Sequence, residues 1–418
     1  TTRYKFNDHT PGLYKSSDYG KTWININHGL SAKAFTRVVR EDDVRKNLLF
    51  AGTESGIYLS WNGGKDWTSF QLNLPVTPIT DLKVHKGNLI AATSGRSFWI
   101  LDDLDLIRQH TTDTNGLVLF QPSGVVIANG YSELDGSSAE FNGTHPTRGV
   151  NPATGAVLYY HLPELKPTEH ITLEITDDDG NILRTFSSVK DSVFVSYDGG
   201  PSSEPVLSKS KGLNRFVWNL RHATLPGVQG VYIESSYRGH KVSPGKYAVT
   251  LKSGDQPVNK SLEILPNPLY PTDTRTYEEY HTVMKEMEGA VTKMHTMVNV
   301  LYVKRQQLEQ LIGTLGDDQK FVQIKKDGSS LVQNMKIWDE DMVQRKSKAY
   351  DDVENFPNKF TANYMFLMNQ TESDIPRVNQ PNLDRLKELN MEWSVLETRA
   401  RLFLEKSIPS FNKQLWEA

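Results

Sequence analysis

The sequence predicts a multidomain chain in three parts: terminal blades of a β-propeller over 1–109, an Ig-like β-sandwich over 150–268 and a three- or four-helix bundle over 272–418, with a linker over 110–149. Three observations carry that prediction. A 19-residue segment near the start repeats 44 residues later. Short alternating runs separated by Pro and Gly fill the middle. All nine methionines lie between Met284 and Met391, whereas four of the eight tryptophans lie in the first 100 residues. Methionine fills irregular helix–helix cores, and tryptophan suits pleated surfaces.

The repeat sets the front of the chain. "GLYKSSDYGKTWININHGL" at 12–30 aligns with "GIYLSWNGGKDWTSFQLNL" at 56–74. Between and after the copies run plain strand patterns, "AFTRVVRE", "NLLFAGT" and "ITDLKVHKGNLIAATSGRSFWILDDL". A period of about 40–50 residues with several short strands is a signature of propeller blades. Inside each copy lies S-x-D-x-G-x-T-W, the Asp-box or BNR motif. The first copy has Ser16, Asp18, Gly20, Thr22 and Trp23; the second has Ser60, Asn62, Gly64 and Trp67, with Asp66 in place of the threonine. A third unit keeps only Asp102-Asp103. A short Asp or Asn side chain accepts from nearby backbone N–H groups, glycine supplies a positive φ, and the tryptophan is expected to fold back as an apolar plug. The motif is therefore expected to be structural. A repeated catalytic acid should keep its carboxylate, and the second copy does not.

The run "AFTRVVREDD…NLLFAGTESGIYLSWNGGKDW…LPVTPITDLKVH…LIAATSGRSFWILDDL" resembles the last blades of sortilin-like BNR-repeat proteins, whose bacterial members are often labelled "glycosyl hydrolase". The resemblance implies a large extracytoplasmic protein, secreted, periplasmic or on the cell surface, with more propeller ahead of this point. The partner it implies is the rest of the same polypeptide or a companion chain that completes the ring, with protein or glycan as ligand. Sialidases that share the motif use arginines, a Tyr/Glu pair and an acid. By type alone that marks Arg37, Glu54 and Arg96 as binding candidates, beside Tyr58 and Asp81. Arg96 is expected to pair with Asp102 or Asp103. No catalytic residue is assigned in this chain. The alternative is part of a secreted glycoside hydrolase whose acids lie mainly in further propeller.

In the middle, "AVLYYHL" is followed by "HITLEITDDDGNILRTFSS", two strands joined by a turn at Asp179-Gly180. Short strands spaced near ten residues predict a sandwich. The pairing of "GLNRFVWNLR" with "VSPGKYAVTL" resembles the FlgD-type Ig-like module of secreted bacterial proteins, with Trp218 as its core plug. Asp177-Asp178-Asp179 lacks the spaced ligands of a calcium loop and predicts a solvated turn. His145 and Arg148 give a surface hint. Asn142, Asn259 and Asn369 each begin an N-x-[ST] pattern.

After "PNPLYPTD", apolar residues recur in steps of four and three: Tyr280, Met284, Met287, Val291, Met294, Val298, Leu301, then Arg305, Leu308, Ile312 and Leu315. This predicts one long helix with a narrow seam. A second helix is expected over about Asp317 to Asp351, with "KKDGSS" as an interruption. A short helix holds "KFTANYMFLMNQ", and a last one carries Leu386, Leu389, Trp393, Leu396, Ala400 and Phe403 past Pro409. His281 and His295 are 14 residues apart, about 21 Å along a helix and too far for one metal. Glu278-x-x-His281 occurs once, where a di-iron bundle repeats it.

Composition removes other classes. The chain has 418 residues, 47 basic against 50 acidic, and no cysteine. No basic stripe points to nucleic acid, and thiol catalysis and disulfides are excluded. Mean hydropathy is −0.50, and no window reads as a membrane span. The first residues already read as strand and turn, which predicts a piece of a longer protein. No metal and no cofactor is expected.

Overall fold

The computed structural model describes residues 2–110, 115–136, 149–316, 318–372 and 376–417. His145, Arg148 and the sequon at Asn142 lie outside them. The front begins with β1 (Tyr14–Lys15) and β2 (Ile24–Asn25), an antiparallel ladder. A four-stranded meander follows, β3 (Thr36–Glu41), β4 (Leu49–Thr53), β5 (Ile57–Ser60) and β6 (Thr68–Ser69). A three-stranded one comes next, β7 (Ile79–His85), β8 (Asn88–Thr93) and β9 (Phe98–Leu101). The two meanders pack through one apolar core that includes Phe50, Leu59, Ile79, Leu82 and Leu89. No sheet among the described residues closes on itself.

Helix α1 (Leu104–Arg108) ends this region. Its Arg108 donates from Nη2 to Asp42 (2.7 Å) and Asp43 (2.8 Å) and from Nη1 to Asp105 (2.9 Å). The Asp42 side chain is wholly buried, and two backbone N–H groups, of Val44 and Arg45, add to its bonds. Together these bonds hold its carboxyl below the usual range against burial, which pushes it up.

Eight strands form the middle: β10 (Val118–Leu119), β11 (Val125–Val126), β12 (Ala156–Leu162), β13 (Ile171–Thr176), β14 (Ile182–Ser187), β15 (Gly212–Trp218), β16 (Gly245–Ser253) and β17 (Gln256–Leu265). One sheet has the order β10-β12-β15 and the other β11-β17-β16-β13-β14. Period-two burial along β12 and β13 turns Leu158, Tyr160, Ile171 and Leu173 into the shared core. Trp218 is fully buried there, with Nε1 donating to the Arg221 carbonyl (3.1 Å). Two expectations change. The strand around "NRFVW" and the strand around "KYAVTL" do not share a ladder; β15 pairs with β12, and β16 lies between β13 and β17. The stretch expected as a linker supplies β10 and β11, because Leu119 and Ile127 are apolar enough to enter this core.

The back is helical: α2 (Thr274–Thr314), α3 (Val322–Met342), α4 (Phe360–Thr371), α5 (Gln380–Leu402) and α6 (Ile408–Glu417). Asp273 caps α2 by accepting from Thr276 N–H (2.7 Å). The seam from Tyr280 to Leu301 is buried throughout, and Leu308 with it. "KKDGSS" does not interrupt α3. Gly328 sits at a crossing where a Cβ would come within 2.7 Å of Ile312 and 2.8 Å of Phe411, so the glycine serves close packing rather than a break. A π-helical turn at Phe403–Ser407 joins α5 to α6 just before Pro409, which has no N–H to donate to the preceding turn. No helix among the described residues is long and apolar enough to cross a membrane.

Candidate functional site

The two repeated turns, at 16–23 and 60–67, share one backbone skeleton. In the first, Gly20 N–H donates to Ser16 Oγ (2.7 Å) and Thr22 N–H to Asp18 Oδ1 (2.9 Å). In the second, Gly64 N–H donates to Ser60 Oγ (2.9 Å) and Asp66 N–H to Asn62 Oδ1 (3.0 Å). Both glycines have positive φ, 86° and 87°. The side-chain bond across each turn runs in opposite senses. The Thr22 hydroxyl donates to the Asp18 carboxylate (2.6 Å), whereas the Asn62 amide donates to the Asp66 carboxylate (2.8 Å). The bonds from Thr22 and Ser16 lower the Asp18 carboxyl to about 2, so it is ionised at neutral pH and holds no proton to transfer.

The tryptophans differ. Trp67 is 4% exposed, packs with Leu13 and Ala51, and donates from Nε1 to the Ile26 carbonyl (2.6 Å). Trp23 is 62% exposed and donates only to the Gly20 carbonyl of its own turn (3.1 Å). The expected plug therefore exists in the second copy alone. The β1–β2 unit covers Trp67, and no described unit covers Trp23 in the same way.

The candidates chosen by residue type do not converge. Arg37 binds Glu54 through Nε (2.7 Å) and Nη2 (2.5 Å) and lies over the Phe35 ring. Arg40 takes Asp81 (2.6 Å). Arg96 shows only backbone bonds, to Thr93 and Trp99. Asp103 meets Tyr159 (3.4 Å), and among the described residues no ion pair joins Arg96 to Asp102 or Asp103. The Asp177 turn closes on Asn181, whose N–H (2.7 Å) and amide (3.0 Å) it accepts.

A different cluster forms where the two-sheet middle region meets α2. The chain leaves β15 and makes a loop whose neck is antiparallel. Arg221 bridges Lys241, His222 N–H donates to the His240 carbonyl (3.0 Å), and Leu225 N–H to the Tyr237 carbonyl (2.7 Å). Gly239 allows this approach, since a Cβ there would lie 2.7 Å from the His222 and Ala223 carbonyl oxygens. The loop's Leu225, Val228, Val231 and Ile233 enter the helical core. Helix α2 grips it by three polar side chains. Glu288 Oε1 accepts the His240 backbone N–H (2.6 Å) and its Nδ1–H (2.8 Å). His295 bonds the Pro226 carbonyl (2.7 Å), and Asn299 bonds Gly227 (2.9 Å) and Gln229 (3.0 Å).

The neck thus stacks His222 on His240, centroids 4.3 Å apart at 21°, while α2 brings His281 to both. His240 Nε2 stands 2.8 Å from His281 Nδ1. Burial lowers His222 to about 3, with its histidine neighbours adding to the shift, and burial lowers His281 as well. Both rings are neutral at pH 7 and keep lone pairs. They line an open cleft of about 730 Å³ with Asp177, Lys285 and Glu288.

Neither a protein-family model nor a curated protein matches the chain. Solved structures do. The chain is similar to the extracellular domain of a one component system from B. thetaiotaomicron, at 12% identity over 61% of this chain and 28% of that one, with a TM-score of 0.20. It is also similar to an ancestral GH74 enzyme, at 11% identity over 61% of this chain and 44% of that one, with a TM-score of 0.19. The chain spans less than half the length of either.

The histidine cluster was hidden from the sequence because its members lie 18 and 41 residues apart on a loop neck and a helix. Spacing along α2 relates His281 only to His295, which is already too far along the helix to share a metal with it. His295 is instead a buried clamp on Pro226, lowered to about 4 by burial. The available signal was Gly239-His240 facing His222 across a loop that starts just after β15.

Proposed function

We propose that this chain is a non-catalytic extracytoplasmic binding and scaffold region of a larger BNR-propeller protein, recognising protein or glycan. The observation that carries the reading is the pair of Asp-box turns. One bond skeleton recurs with donor and acceptor exchanged, which suits a turn and not a proton-transferring acid. The other acids chosen by type, Glu54 and Asp81, are paired with Arg37 and Arg40.

The β1–β2 unit lies against Trp67 as one blade lies against the next. By the same arrangement Trp23, with Tyr19 and Ile24 beside it also exposed, is the face on which a further blade rests. That blade comes from the same polypeptide or a companion chain. Hydroxyl-radical footprinting tests this on the chain alone and on a polypeptide extended upstream of residue 1. Trp23 is expected to react readily in the first and to be shielded in the second. Equal reactivity in both, and in the extended polypeptide isolated with any stoichiometric companion chain, defeats the reading.

A further inference from the structure

We propose that His222, His240 and His281 bind one divalent transition-metal ion, zinc by preference, which fastens the neck of the sandwich loop to α2 and keeps one coordination position open to the adjoining cleft. The proposal does not rest on the reading of the front blades.

The rings already have the spacing such an ion imposes. Three imidazoles bound tetrahedrally at Zn–N of about 2.0–2.1 Å hold their centroids about 5 Å and their ligand nitrogens about 3.3 Å apart. The observed centroid separations are 4.3, 4.9 and 5.2 Å. Ligand nitrogens of the three residues all lie within 4.8 Å of one another. Ligation would widen the 2.8 Å contact of His240 with His281 and draw in the nitrogens that now lie up to 4.8 Å apart.

Proton positions agree with ligation. A carboxylate only accepts, so Glu288 fixes the proton of His240 on Nδ1 and turns the lone pair of Nε2 toward His281. A carboxylate behind an imidazole is the usual outer support of a metal-bound histidine. Without an ion, the 2.8 Å contact between His240 Nε2 and His281 Nδ1 holds one proton. The ion takes that proton's place, and His281 passes to its other neutral tautomer. His222 Nε2 is buried with no hydrogen-bond partner. Such an atom is costly to leave unmet, and the ion supplies its partner.

The donor set selects the metal class. Three neutral nitrogens suit zinc and its transition-metal neighbours, not the oxygen-seeking calcium or magnesium. Asp177 and Glu288 on the cleft wall offset the positive charge of Lys285 there and of Arg184, whose Nη1 bonds the His222 carbonyl (2.9 Å). Three protein ligands with a fourth position facing solvent is the pattern of zinc that accepts an outside ligand, here water or an anionic group entering the cleft beside Lys285.

The test uses tag-free chain stripped of metal, titrated with Zn²⁺ by calorimetry and with Co²⁺ by absorption. One equivalent is expected to bind, with a four-coordinate nitrogen-type cobalt spectrum that Zn²⁺ bleaches. His281→Ala, at a half-buried position, is expected to weaken binding at least about 100-fold, and Glu288→Gln about 10–100-fold. Long-range ¹H–¹⁵N spectra of the unaltered chain locate the ligands without any substitution, through shifts at the rings of His222, His240 and His281. No one-equivalent binding, shifts confined to other histidines, or binding that survives both His222→Ala and His281→Ala in folded protein each overturns the proposal.

Discussion

The two repeated turns, around Asp18 and around Asn62, are near copies in sequence and in backbone, yet they live in different surroundings. Around Asp18 everything needed is local: Ser16, Thr22 and the Gly20 carbonyl satisfy the acid and the indole within one turn. Around Asn62 the turn is locked from outside. Trp67 donates to Ile26, its backbone N–H donates to the His28 carbonyl, and His28 also meets Asp66 (2.8 Å). Gly29 marks the contact, because a Cβ there would fall 2.2 Å from the Trp67 carbonyl. The motif itself makes a turn. Whether its tryptophan becomes core depends on the neighbouring unit.

Substitution of the tryptophans gives the sharpest contrast. Trp67→Ala is expected to cost about 3–5 kcal/mol, as for other buried aromatics, whereas Trp23→Ala should stay within about 0.5 kcal/mol. Urea midpoints of the two variants measure this, and similar losses would break the comparison. A smaller effect tests the exchange of donor and acceptor. Asn62→Asp sets two carboxylates against each other and should lower the midpoint. Adding Asp66→Thr, which rebuilds the first turn's chemistry in the second, should recover it. If the double variant is no better than the single one, the two turns are not equivalent pairs.

The smallest effect is a pH dependence. The Asp18 carboxyl is lowered by its bonds to Thr22 and Ser16 to about 2. A group whose folded value lies below its unfolded one adds stability above the unfolded value, near 4. That contribution falls away as pH drops from about 4 through about 2. An NMR titration of the Asp18 carboxyl carbon should show a midpoint near 2, and the Thr22 amide should move with it. An ordinary aspartate midpoint would mean the turn bonds are not kept in solution.

The helix seam was legible because its information is local. Steps of four and three place Met284, Val291 and Val298 on one stripe whatever they pack against, and all are buried. Trp218 and the turn after Asp177 were legible for the same reason. Residue type marks Arg37 and Glu54 but says nothing of their pairing, since strand register decides which side chains meet. The bond of Asp42 with Arg108 leaves no mark in the sequence: 66 residues separate them, and neither belongs to a motif.

By itself, the sequence determined periodicity, turn chemistry and the change from β to helical composition, because these depend on residues a few positions apart. Tertiary structure alone decided which tryptophan is covered, which strands share a sheet, and that His222, His240 and His281 meet. The last follows from one loop closing at a glycine-lined neck and one helix running past it. Contacts made across such distances leave no spacing in the chain, since the intervening residues fix only how far apart two side chains can be, not which ones touch.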